Sequence, residues 1–89
     1  MIERKVTIKN KLGLHARAAV KFVNLANRFS ASVRILKDGS EIDGKSILGI
    51  LTLAATQGSM IGLKLSGKDE AAAIKALESL INDRFGEKE

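Results

Sequence analysis

The chain has 89 residues, of which 45% are hydrophobic, with a net charge of +5 and three phenylalanines as its only Phe, Tyr or Trp residues. A chain of this length predicts a single domain, residues 1–89, with one modest core and no room for a deep enclosed active site. The lack of cysteine excludes disulfides and thiolate metal sites, and no apolar run is long enough for membrane insertion. The positive charge could attract nucleic acid, but the few aromatic residues argue against a nucleic-acid partner.

The first part of the chain has the patterns of a strand and a helix. Residues 2–8 alternate between apolar and polar, which predicts a strand, although Arg4 interrupts the apolar side. Charges here replace the apolar run of a secretory signal, so we expect a cytoplasmic protein. From Ala16 to about Asn27, apolar residues recur at the i, i+3, i+4, i+7 spacing of an amphipathic helix.

A hairpin and a short helix are expected next. Residues 31–37 alternate again, and the Asp38-Gly39 pair favours a tight turn into a short strand at Ser40–Asp43. An apolar run from Ile47 to about Leu53 then predicts a short helix.

The last two predicted elements are a strand and the most regular helix. Residues 61–66 alternate, and an apolar stripe predicts a helix from about Asp69 to Arg84. Asp69 and Glu70 would lie in its first turn, where acidic residues favour the helix dipole. Gly86 is expected to act as its C-cap.

The element order is strand, helix, strand, strand, helix, strand, helix, and all four strands have one polar face. A sheet with one apolar side needs a cover on that side only, so we predict an α+β open-faced β-sandwich with three helices on one face. Two crossovers with a hairpin between them suggest that the fourth strand lies between the first and the second. The predicted sheet is therefore antiparallel with strand order 1-4-2-3.

His15, the only histidine, directly precedes the first predicted helix. The first N–H groups of a helix lack carbonyl partners and attract anions, and Arg17 could add charge-assisted bonds to the same anion. Imidazole is also a nucleophile that can carry a phosphoryl group. These features fit a reversible phosphohistidine, while a histidine that merely ends a turn remains the alternative. One histidine without cysteine provides too few ligands for a metal.

The stretch "GSEIDGKS", residues 39–46, matches the phosphate-loop pattern of nucleotide-binding enzymes. Glu41 and Asp43 would repel a phosphate, and no later strand ends in a magnesium-binding aspartate. The Asp38-Gly39 turn also assigns this stretch to a hairpin. We therefore expect no nucleotide, and no other cofactor.

Two motifs carry a family resemblance that extends from about Glu3 to Phe85. "NKLGLHARAAVKFV", residues 10–23, resembles the phosphorylation-site region of HPr, the histidine phosphocarrier of the bacterial phosphoenolpyruvate-dependent phosphotransferase system, and "GKSILGIL", residues 44–51, resembles its second signature region. The resemblance implies that His15 accepts a phosphoryl group from phospho-Enzyme I and passes it to IIA-type proteins. Arg17 and the backbone N–H groups of Ala16 and Arg17 would stabilise it, and partner enzymes would supply catalysis, so the chain itself would not be an enzyme.

Two positions leave the pathway open. Ala18 stands where the family usually has proline, and this change should soften the helix start by about 0.4–1 kcal/mol. The branch could be sugar uptake or a regulatory, nitrogen-type phosphorelay. Ser46 has the pattern of an N-cap, and in some HPr proteins the matching serine is the target of a regulatory kinase. A regulatory binding module controlled through Ser46 is therefore an alternative function.

The short helix has more apolar residues than one face can bury. We expect Ile50 and Leu53 in the core, and an exposed apolar patch made of Val20, Ile47, Leu48 and Leu51. By resemblance, partner proteins would dock there, steered by a basic rim of Arg17, Lys21 and Lys45. The protein itself is expected to be a monomer.

Overall fold

In the computed structural model, which describes residues 1–89, every predicted element is present and its ends lie within two residues of the prediction. The elements in chain order are β1 (Ile2–Thr7), α1 (Ala16–Ala26), β2 (Ser32–Lys37), β3 (Ser40–Asp43), α2 (Ile47–Thr52), β4 (Met60–Ser66) and α3 (Glu70–Asn82), followed by one turn of 3₁₀ helix at Arg84–Gly86.

The four strands form one antiparallel sheet in the order β1-β4-β2-β3, which confirms the predicted topology. The register places Val6 of β1 opposite Ile61 of β4, and Leu63 of β4 opposite Ile35 of β2. All four side chains are buried, whereas the residues that alternate with them along each strand are partly or fully exposed. This alternation gives the sheet one apolar face, as an open-faced sandwich requires.

The helices cover that apolar face. Phe22 of α1, Ile50 of α2 and Leu77 of α3 are fully buried in one continuous core of 21 residues. Helix α3 follows β1 closely, with the guanidinium of Arg4 3.2 Å from the carboxylate of Glu78. None of the helices combines the length and apolar character needed to cross a bilayer.

The end of α3 differs from the prediction. The helix stops at Asn82, so assigning Gly86 as its C-cap was wrong: Gly86 lies in the following 3₁₀ turn with a φ of 77°. Arg84 and Phe85 in this turn also have positive φ, which is unfavourable for residues with a Cβ. The ring of Phe85 is fully buried, which contributes about 1.5–3 kcal/mol and offsets part of this strain.

The beginning of α3 also differs. Asp69 is the residue before the helix rather than part of its first turn, and its side chain does not cap the helix. Its carboxylate instead accepts hydrogen bonds from the backbone N–H groups of Ser30 at 2.8 Å and Ala31 at 2.9 Å. The bond from Ser30, helped by that from Ala31 and opposed by partial desolvation, holds the pKa of Asp69 below its ordinary value. This carboxylate therefore ties α3 to the segment that leads into β2.

Helix α1 begins without a side-chain cap. His15 is the N-cap residue, with φ −77° and ψ 177°, and its carbonyl accepts the N–H of Ala19 at 2.9 Å. The N–H groups of Ala16, Arg17 and Ala18 have no hydrogen-bond acceptor. The first turn of α1 therefore presents three free donors.

Asp69→Asn should destabilise the fold at neutral pH, because an amide oxygen is a weaker acceptor for two N–H groups than a carboxylate. A depressed folded-state pKa gives stability that is complete above the unfolded value of about 3.9 and is lost as the pH falls through the folded value. The difference from wild type should therefore be constant above about pH 5 and shrink below about pH 4. Urea unfolding at several pH values measures it. Asp83→Asn, at an exposed aspartate without a side-chain partner, is the control and should lose no stability.

Ala18→Pro should raise the free energy of unfolding by about 0.4–1 kcal/mol, because proline restricts the unfolded chain and removes an N–H that has no acceptor. Ala19→Pro is the matched control, since the N–H of Ala19 is bonded, and should cost about 3 kcal/mol. Thermal or urea unfolding separates the two variants. Destabilisation by Ala18→Pro would contradict the assignment of a free donor there.

Candidate functional site

The position of His15 depends on a close contact between two loops. Gly13 has a φ of 68°, and a Cβ on it would lie 2.4 Å from the carbonyl oxygen of Ala55. That same oxygen accepts the N–H of Leu14 at 2.9 Å. Only glycine satisfies both the positive φ and this approach, so residue 13 sets the direction in which the chain enters α1.

The ring of His15 lies at the surface, with 26% of its side chain exposed. It lines an open depression of about 680 Å³ together with Lys11, Leu12, Ala16, Arg17 and residues 87–89. Arg17 is exposed and makes no hydrogen bond or ion pair. The free guanidinium and the free N–H groups of α1 therefore meet beside the imidazole, an arrangement that suits an anion.

Glu87 is a site residue that no pattern in the sequence indicates. One oxygen of its carboxylate contacts Nε2 of His15, and the other accepts a hydrogen bond from Nδ2 of Asn10 at 3.0 Å. Nδ2 of Asn10, which is fully buried, also donates to the carbonyl of Gly13 at 2.8 Å. His15 and Glu87 are 72 positions apart in the chain, which explains why no local pattern could indicate this contact.

The contact with Glu87 determines how the ring can react. Burial raises the pKa of Glu87, but hydrogen bonds from Asn10 and His15 and the charges of His15 and Lys21 outweigh burial and hold the pKa below its ordinary value. Glu87 is therefore ionised at neutral pH and acts only as an acceptor. A neutral imidazole facing it carries its proton on Nε2, which leaves the lone pair of Nδ1 free to act as a nucleophile.

The predicted core residues of α2 and the predicted patch residues differ in burial, as expected. Ile50 and Leu53 are buried, whereas the members of the apolar patch are exposed, from 36% for Leu51 to 75% for Leu48. The patch residues therefore lie on the solvent side of the pair formed by α1 and α2: Val20, Ile47, Leu48 and Leu51.

The three residues of the predicted basic rim have different environments. Nζ of Lys21 donates to the carbonyl of Phe85 at 2.6 Å, and Nζ of Lys45 donates to the carbonyl of Phe29 at 2.8 Å. Phe29 follows the end of α1, so Lys45 is separated from His15 by the length of that helix, about 16 Å. Of the three cations, Arg17 alone has no partner, and it lies beside the ring.

Ser46 is the N-cap of α2, as predicted, and its Oγ accepts the N–H of Gly49 at 3.0 Å. The preceding residues confirm the hairpin, since Ile42 of β3 pairs with Ile35 of β2. Residues 39–46 therefore form a turn, a strand and a helix cap rather than a loop around a phosphate. The chain also places Ser46, next to Lys45, toward the end of α1 that is far from His15.

The chain is similar to known proteins over its whole length. The family model described as "PTS HPr component phosphorylation site" matches residues 2–83. The phosphocarrier protein HPr of Neisseria meningitidis serogroup A is 48% identical over 89 residues, which cover 100% of both chains. HPr-C-His from Thermoanaerobacter tengcongensis has a TM-score of 0.96 and 46% identity over 100% of both chains. An HPr dimer from the same organism has a TM-score of 0.79 and 47% identity, over 98% of this chain and 100% of that one.

These matches confirm the resemblance predicted from residues 10–23 and 44–51. The family model alone covers all four strands and the three α-helices, and the sequence identity to the Neisseria relative extends over the whole chain. The chain therefore belongs to the HPr family, the phosphocarrier proteins of the bacterial phosphotransferase system.

Proposed function

We propose that this protein accepts a phosphoryl group on His15 from phospho-Enzyme I and passes it to IIA-type acceptor proteins. The observation that carries the proposal is the exposed imidazole at the start of α1, beside free N–H groups and the unpaired guanidinium of Arg17. Family membership makes a phosphocarrier role the natural use of this site.

In the proposed transfer, the lone pair of Nδ1 forms a bond to phosphorus while the bond between phosphorus and the donor breaks. The donor keeps the electron pair of the broken bond. The phosphoryl oxygens receive hydrogen bonds from the N–H groups of Ala16 and Arg17 and from the guanidinium of Arg17. The α1 dipole adds roughly half a positive charge at this end, and the transfer to an acceptor is the same step in reverse.

The open shape of the site supports a carrier rather than an enzyme. The ring lies in a surface depression that partner active sites can reach, and such sites would provide the catalysis. The apolar patch is the proposed docking surface for Enzyme I and IIA-type proteins. We propose that the carrier works in the cytoplasm as a monomer, in sugar uptake or in a regulatory relay.

A second candidate function is regulation through Ser46. Its hydroxyl caps the six-residue helix α2, and the next two residues belong to the exposed apolar patch. Phosphorylation by a serine kinase would place nearly two negative charges at the N-terminus of α2, where they are tolerated, and would change the charge of the adjoining docking surface.

His15→Ala should abolish phosphorylation, because it removes the nucleophile. Incubation with phosphoenolpyruvate and Enzyme I should place one acid-labile phosphate per wild-type chain, mapped to His15, and none on the variant. The far-ultraviolet circular dichroism of the variant should match wild type. Normal phosphate incorporation into folded His15→Ala would overturn the proposed function.

Arg17→Gln should slow phosphorylation by about 10- to 150-fold, the loss that corresponds to a charge-assisted hydrogen bond of about 1.5–3 kcal/mol. The readout is kcat/KM for phosphorylation of the carrier by Enzyme I. Arg28→Gln removes a charge that is also exposed, just beyond the end of α1, and should leave the rate unchanged. Equal rates for the two variants would contradict a role for Arg17 in holding the phosphoryl group.

A further inference from the structure

We propose that Glu87 is a positioning residue for His15, and that Asn10 determines which oxygen of Glu87 faces the ring. The inference rests on the proposed function, since it concerns the nucleophile of that reaction. It assigns a role to the residues after α3, which lie outside both sequence motifs and outside the family match at residues 2–83.

The side chain of Glu87 is held on both sides. Only 17% of it is exposed, and its two oxygens are divided between Asn10 and His15. Rotation of the carboxylate would therefore break both contacts. This two-sided attachment is typical of a carboxylate that orients a reactive imidazole.

The orientation of the Asn10 amide follows from its neighbours. Nδ2 lies 2.8 Å from the carbonyl oxygen of Gly13 and 3.0 Å from a carboxylate oxygen of Glu87, and both of these atoms are acceptors. The group between them must be the NH₂, because an amide oxygen there would face two other oxygens. Asn10 thus presents a fixed donor to Glu87.

An ordered segment places Glu87 beside the ring. Its N–H donates to the carbonyl of Arg84 at 2.9 Å, and the preceding Phe85 is fully buried. Glu89 contacts Lys11 twice, through its backbone carbonyl and through its carboxylate, which lies 3.4 Å from Nζ. Buried and bonded residues on either side therefore hold the carboxylate in place.

This arrangement assists transfer in both directions. As Nδ1 bonds to phosphorus the ring gains positive charge, which the carboxylate at Nε2–H stabilises. When the phosphoryl group leaves, its bonding electrons return to Nδ1 and the proton stays on Nε2. The charged groups around Glu87 are Lys21, which contacts the neighbouring turn, and Lys11, Arg17, Lys88 and Glu89 in the same depression.

The fixed donor of Asn10 leads to an unusual expectation for Glu87→Gln. The amide oxygen of the new side chain would face Asn10, so its NH₂ would face Nε2 of His15. The ring would then have to accept at Nε2 and carry its proton on Nδ1, the atom that must attack. The isosteric variant should therefore be a poorer phosphoryl acceptor than Glu87→Ala, which removes the carboxylate and leaves both tautomers accessible.

The test combines nitrogen-15 NMR of the unphosphorylated His15 ring with rates of phosphorylation by Enzyme I. We expect the proton on Nε2 in wild type, on Nδ1 in Glu87→Gln, and exchanging between both in Glu87→Ala. Phosphorylation should slow about 10- to 100-fold in Glu87→Ala and further in Glu87→Gln. Glu3→Gln, which removes the same charge from an exposed side chain of β1 that makes no hydrogen bond or ion pair, should match wild type in both measurements.

The outcomes separate this inference from the proposed function. A wild-type proton on Nδ1, or wild-type rates in both Glu87 variants, would overturn the role of Glu87 even if His15 is phosphorylated. A wild-type chain that takes no phosphate would overturn the proposed function, while the ring tautomers of the three proteins would still decide whether Glu87 orients His15. Thermal unfolding of each variant checks that a changed rate does not reflect a lost fold.

Discussion

The site depends on a helix end that is ordered but left uncapped. The approach of Gly13 to the carbonyl of Ala55 fixes the loop before α1, so the helix starts at Ala16 without a side chain to occupy its first N–H groups. Free donors at a helix start are usually satisfied by a capping side chain or by water. Under the proposed function, these free donors would hold the phosphoryl group at the surface, without the deep pocket that 89 residues could hardly enclose.

The strand order brings the two ends of the fold to this helix start. Because β1 and β4 are adjacent and antiparallel, the helix that follows β4 returns alongside β1, as the pair of Arg4 and Glu78 shows. The residues after α3 therefore arrive beside the loop that follows β1. The buried Phe85 and the bond from Lys21 to its carbonyl then direct residues 87–89 toward His15.

The three cations of the predicted basic rim differ in their hydrogen bonds, and this difference determines which of them is free to bind a ligand. Lys21 and Lys45 each donate to a backbone carbonyl, whereas Arg17 has no partner in the structure. The net charge of +5 therefore says little about which cation is available to a ligand. The hydrogen bonds that each cation already makes determine its availability, since a bonded ammonium has fewer free donors for a ligand.

The four strands, the three α-helices, the strand order, and the place of His15, Arg17 and Ser46 at helix starts could be predicted from the sequence, because they follow from periodicity, turn residues and connection rules. Other features could be seen only in the packed fold: Asp69 bonds to Ser30 and Ala31, Gly86 belongs to a separate turn, and Glu87 joins Asn10 to His15. The hydrogen bonds join residues 38 to 77 positions apart, and the strain of the turn is offset in part by the burial of Phe85, which belongs to the core. Such contacts leave no periodic pattern in a single sequence, since their energy depends on how the packed elements place the two partners.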